Sequence, residues 1–109
     1  MQHDVVCVLS IDAPAKVSST AVGVWGRVRC NSSVDAANTT VQLQKIVNGV
    51  WTNFGNPTSI SDTGPELDIY DGAPGSPGCN SYRGRIHREA YHGNWGYTTK
   101  YSSYQTICF

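Results

Sequence analysis

Apolar and polar residues alternate along most of this chain with a period of two, the signature of half-buried strands. The plainest stretch is TVQLQKIVNGVWTNFG, residues 40–55. Its Asn48-Gly49 pair lies between β-forming residues, and a type I′ hairpin turn needs positive φ at both central positions. Folding there sets Val47 opposite Val50, Ile46 opposite Trp51 and Leu43 opposite Phe54. Val41, Leu43, Val47, Val50 and Phe54 then make one apolar face. Gln42, Gln44 and Asn53 take the other, with Ile46 and Trp51 as a cross-strand pair.

The stretch HGNW, residues 92–95, carries a second turn signal. Gly93-Asn94 suits a two-residue loop with glycine first, which pairs His92 with Trp95. Continued outward, that register sets Cys79 directly opposite Cys108, and a bulge in strands this long would shift it by one residue. Tyr82, Ile86, Ala90, Trp95, Tyr97, Tyr101 and Ile107 then share a face expected to be core. Arg83, Arg85, His87, Glu89, Lys100 and Tyr104 share the opposite, exposed face.

The N-terminal third repeats the pattern. Pairing Cys7 with Cys30 centres a loop on APAKVSST and collects Val5, Cys7, Leu9 and Ile11 with Val22, Val24, Val28 and Cys30. Ser10, Asp12, Trp25, Arg27 and Arg29 fall on the other side. A one-residue slip would scramble this segregation, which supports the pairing. The competing connectivity, Cys30–Cys79 with Cys7–Cys108, would pin two sheets across the core, and four cysteines leave it open.

Strands are expected near 4–11, 21–30, 40–47, 50–55, 66–70, 80–91 and 96–107. NSSVDAANTT (31–40) reads as a polar connector. The Pro/Gly-rich segment 56–78 reads as a loop around one short strand, ELDIYD, with Asp71-Gly72 as a turn. About seven short strands with turns every ten or so residues imply an all-β fold. The expectation is an immunoglobulin-like antiparallel β-sandwich, stapled by disulfides, forming one domain over 1–109.

Composition narrows the setting. Eight basic and eight acidic side chains leave the chain neutral, so bulk charge implies no nucleic-acid partner. No window approaches the roughly 18 apolar residues of a spanning helix, so no membrane insertion is expected. The four cysteines include no CxxC pair, so no metal or other cofactor is expected, and an even count fits an oxidising compartment. The start MQHDVVCVLSIDAP lacks the basic and apolar regions of a leader. Met1 therefore reads as an expression start on a secreted protein whose signal peptide has been removed.

VQLQKIVNGVWTNFG resembles the central hairpin of many bacterial immunoglobulin-like extracellular domains, and YRGRIH resembles their penultimate strand. The pairs Cys7/Cys30 and Cys79/Cys108 resemble the staples of small secreted actinobacterial proteins. The chain departs from immunoglobulin domains proper in that the Tyr nearest Cys79 follows it instead of preceding it.

Two surfaces are candidates for binding. Arg83, Arg85, His87, Lys100 and Tyr104 would form a basic and aromatic stripe, fitted to an acidic protein, a glycan or a phosphate, or simply a solvated outer face. Trp25, with Arg27 and Arg29, would lie on the outer face of the second strand, where Gly23 and Gly26 bare the sheet around the ring. Asp62, Glu66, Asp68 and Asp71 around one strand suggest calcium only faintly, and their spacing matches no EF-hand loop. His3, His87 and His92 are the only imidazoles, and no signature of nucleophilic or metal-assisted catalysis appears. The chain is expected to be a non-catalytic recognition or adaptor module for an extracellular protein partner. It could serve as a subunit of a secreted bacterial toxin or adhesion assembly, or as an inhibitor acting through 56–78. The alternatives are a carbohydrate-binding module using Trp25, Trp51 or Trp95, and a small secreted toxin or enzyme.

Overall fold

The computed structural model describes residues 5–109, over which the alternating pattern becomes ten strands and no helix. They are β1 (Cys7–Ile11), β2 (Ala15–Ser18), β3 (Ala21–Cys30), β4 (Ala36–Val47), β5 (Val50–Asn53), β6 (Thr58–Ser61), β7 (Glu66–Pro74), β8 (Cys79–Tyr91), β9 (Trp95–Tyr101) and β10 (Gln105–Cys108). The expectations for Met1, His3 and a strand starting at residue 4 lie outside the described residues.

All pairings are antiparallel. In the first sheet β1 and β2 follow one another along one edge of β3, and β7 lies along the other. In the second, β4 and β8 form the centre. Strands β6 and β5 share the outer edge of β4, while β9 and β10 share the outer edge of β8. This is the strand order of an immunoglobulin-like β-sandwich.

The sheets meet through Leu9, Val22, Val24, Val28 and Ile69 on one side and Val41, Leu43, Tyr82, Ile86 and Ile107 on the other. They approach closely where side chains are missing. A Cβ on Gly84 would come within 2.6 Å of both Ile11 and Val24. The expected inner face of the N-terminal pair is borne out, with Cys7 opposite Cys30 and Ile11 opposite Gly26.

The disulfides are Cys7–Cys30 and Cys79–Cys108. Each joins directly opposed residues of adjacent strands within one sheet, so neither pins the sheets together, and the competing connectivity is overturned.

Three additional strands come from segments with little burial pattern. All four residues of β2 are exposed, inside what reads as a loop. Polar β6 pairs with the first half of β4, whose start lies in the expected connector. The end of 96–107 separates as β10. Strand β7 also runs on through Asp71-Gly72, expected as a turn, to Pro74, so most of 56–78 is sheet.

The first hairpin forms as expected. Asn48 and Gly49 have φ of 53° and 79°, Ile46 faces Trp51, and the Phe54 N–H donates to the Leu43 carbonyl. Two side-chain expectations are corrected. Val47 and Val50, at the hairpin tip, are exposed, while Gln42 and Gln44 are buried. Gln42 donates to the carbonyls of Leu43, Phe54 and Gly55, which satisfies an amide that burial would otherwise strand.

The second hairpin differs by one residue. Tyr91, not His92, pairs with Trp95, leaving a three-residue loop with Gly93 at φ 81°. Tyr101 therefore lies opposite Arg85, and Lys100 lies opposite Ile86. Trp95, Tyr97 and Tyr101, expected in the core, are exposed on the outer face instead. Lys100 turns to the inner side, away from Arg83, Arg85 and His87. The register recovers at Ser102, whose Oγ accepts the Gly84 N–H at 2.7 Å, and β10 then sets Cys108 opposite Cys79.

Candidate functional site

The outer face of the second sheet gathers aromatics from three strands around one arginine. Odd-numbered residues of β8 point outward, because Tyr82, Ile86 and their even neighbours fill the core. Arg83 Nε donates to Gln44 Oε1 at 2.8 Å, and Gln44 Nε2 donates to Asn53 Oδ1. This fixes the guanidinium between two rings, 4.6 Å from the centroid of Trp51 on β5 and 4.2 Å from that of Tyr101 on β9. Tyr104 packs on Trp51 with ring centroids 6.4 Å apart, and Tyr91 packs on Trp95 at 5.3 Å. Trp95, Tyr97, Tyr101 and Tyr104 are 57, 64, 51 and 63% exposed. The face brings together Arg83, Arg85, His87 and Tyr104 of the expected stripe, without Lys100.

His87 joins a smaller network on the same face. Its Nδ1 lies 2.6 Å from Thr99 Oγ1 and its Nε2 lies 3.4 Å from Glu89 Oε1. The order of acid, imidazole and hydroxyl resembles a catalytic triad, but it lies along open strands instead of in a cleft.

The other candidate face is engaged internally. Trp25 packs on its cross-strand partner Tyr70 at 4.8 Å, and the Tyr70 ring lies across Gly23 and Gly72. Arg27 makes a two-pronged pair with Asp12 at 3.0 and 2.9 Å. That contact holds the Asp12 carboxyl below its ordinary pKa and raises Arg27. Arg29 donates to Asp68 at 2.7 Å and to the carbonyls of Val28 and Leu67. Both arginines thus have their forks occupied.

The acidic residues do not converge. Asp62 accepts the Gly64 N–H, Asp68 pairs with Arg29, and Asp71 is inside the sandwich. Among the described residues no group of three His, Cys, Asp or Glu side chains could hold a metal ion.

Two interior charges carry no signal in the alternation, which reads a charged residue as surface. Asp71 accepts from Leu43 N–H and Thr58 Oγ1, and burial raises its pKa against those bonds. Arg88, at an inward position of β8, is 4% exposed, and burial lowers its pKa against the opposing charge of Asp62. It lines a cavity of about 480 Å³ between Val5 and Val6, β1 and β9.

Comparison with known protein families, with curated proteins and with solved structures finds no match to this chain.

Proposed function

We propose that this chain is a secreted, non-catalytic recognition module of the bacterial immunoglobulin-like type that binds another protein through the outer face of its second sheet. The observation that carries the reading is Arg83 held between Trp51 and Tyr101, at the centre of a face whose other aromatics remain exposed. Trp, Tyr and Arg dominate the energetics of protein interfaces; the two aromatics bury much area at little loss of side-chain entropy, whereas an arginine must give up its rotamer freedom. Here the stack has already ordered the arginine, so binding has less freedom to remove. Two disulfides suit an oxidising compartment outside the cytosol.

A sugar-binding platform is the weaker reading. Flat sugar faces favour parallel rings, whereas Trp51–Tyr104 and Tyr91–Trp95 are tilted by 47° and 50°. The test is capture of partners from culture fluid by the disulfide-bonded protein and by a Tyr97→Ser, Tyr101→Ser, Tyr104→Ser variant. A protein captured by the first and lost by the second supports the reading. Binding only to polysaccharide, or a turnover abolished by His87→Ala, would replace it.

A further inference from the structure

We propose that the cavity between β1 and β9 is a binding site for a carboxylate borne on an apolar body, with Arg88 as its anchor. The site lies on the inner side of the second sheet and does not rest on the outer-face reading, with which it shares only Trp95.

The walls mix apolar side chains, Val5, Leu9 and Val34, with polar His92 and Asn94, and Trp95 adds an aromatic ring from the β8–β9 turn region. The volume of about 480 Å³ falls in the range of small-molecule sites. Arg88 stands opposite Thr39 and Thr98 on β4 and β9, positions that offer it no carboxylate. Its Nη1 reaches only Cys30 Sγ at 3.6 Å, a weak acceptor. Its Nε and Nη2 have no hydrogen-bond partner among the described residues.

Those two nitrogens lie along one edge of the guanidinium, and their N–H groups form the parallel fork that a carboxylate accepts with both oxygens. Both are buried from solvent, so binding requires the guanidinium to turn toward the cavity that Arg88 lines. Asp62 acts on Arg88 only through its charge and accepts no hydrogen bond from it; a buried arginine with no acid in contact is costly, and apolar replacements of such groups often stabilise a fold. An anionic ligand would offset that cost. Among the described residues the cavity lining contains no second Arg and no Lys, which favours a singly charged carboxylate over a phosphate. His92, also in the lining, has its Nδ1 3.7 Å from Asp35 Oδ1.

The test titrates the intact, disulfide-bonded, isotope-labelled protein with phenylacetate and with a short peptide ending in a free phenylalanine carboxylate. Phenylacetamide and the peptide's C-terminal amide are the neutral controls. The Arg88 Nε–H resonance and tryptophan fluorescence report binding. The acids are expected to shift both signals, and each amide to bind about 10- to 100-fold more weakly. Arg88→Lys, which keeps the charge and loses the fork, should weaken the acids by a similar factor. Arg88→Met should abolish binding while raising the melting temperature of the unliganded protein. Binding of the peptide alone supports a polypeptide C-terminus as ligand, and binding of phenylacetate supports a free acid. Amides that bind as tightly as acids, or an Arg88 resonance unmoved by either acid at millimolar concentration, would overturn the proposal. That comparison uses the unaltered protein and holds even if a variant fails to fold.

Discussion

Asp71 of β7 accepts the backbone N–H of Leu43 across the sandwich at 3.0 Å. The outer edge of β4 is shared by two short strands, β6 ending at Val41 and β5 resuming at Gln44. Leu43 lies in the gap between them, and the carboxylate supplies the partner that a continuous strand would have given. Its second oxygen accepts from Thr58 Oγ1 at the start of β6. Replacing Asp71 with Ala leaves a buried N–H unpaired and should cost about 1–3 kcal/mol in urea unfolding. Asp71→Asn keeps an acceptor and an isosteric shape, so it should cost less than the alanine change.

The same carboxylate sets a pH dependence. Burial raises its pKa above 3.8, so the folded protein holds that proton more tightly than the unfolded chain does. The stability Asp71 contributes is therefore fully present below 3.8 and is lost as pH rises through the raised value. Measured against Asp71→Asn, the native protein should be relatively most stable near pH 3 and lose ground toward neutrality. Asp12 works the other way. Its pKa is lowered by Arg27, so its contribution is present above 3.8 and disappears as pH falls through the lowered value. Denaturant midpoints from about pH 3 to 7 on both proteins check the sign.

The pairing of Cys79 with Cys108 is legible in the chemistry of HGNW even though the turn itself is one residue longer than that chemistry suggests. The three-residue loop and the break at Ser102 each shift the register by one, in opposite senses, so the ends agree. Between those two points the faces do not agree, which puts Trp95, Tyr97 and Tyr101 on the outer face and Lys100 on the opposite side of β9, where it stays exposed. The candidate surface is thus half legible: Arg83, Arg85, His87 and Tyr104 are where alternation places them, and their aromatic neighbours are not. Strands β2 and β6 pair through backbone while showing little apolar pattern. Asp71 and Arg88 escape notice because only the tertiary arrangement says that their side of the strand faces inward.

Each disulfide closes a substantial loop, with 23 residues of separation for Cys7–Cys30 and 29 for Cys79–Cys108. Chain entropy alone gives about 3.5 kcal/mol for loops of this length. Replacing both members of one pair by serine should lower the melting temperature by about 10–20 °C. The Cys79/Cys108 variant should lose more protection at β10, which has only four residues and one buried side chain, Ile107. Amide exchange on the Cys79→Ser/Cys108→Ser and Cys7→Ser/Cys30→Ser proteins separates the two effects. Equal protection of β10 in both would contradict this division of labour.

Ser102 is the hinge of register between β9 and β10. Its backbone N–H donates to the Gly84 carbonyl, and its Oγ takes the Gly84 N–H that a regular strand would have bonded through backbone. The hydroxyl also donates to the Ser103 carbonyl, so both its roles are filled. Gly84 is fixed at this place because any larger residue would strike Ile11 and Val24, so β8 cannot move to compensate. Ser102→Ala should therefore cost about 1–2 kcal/mol and release the Gly84 amide to exchange about tenfold or more faster. With Cys79–Cys108 intact, the ends stay in register and only this local opening appears. In the Cys79→Ser/Cys108→Ser background the added Ser102→Ala change should cost more than the two changes summed, because β10 is then free to slip into the register of β9. A double-mutant cycle with no coupling, or a Gly84 amide as protected as before, would show that the register is held by strand pairing alone.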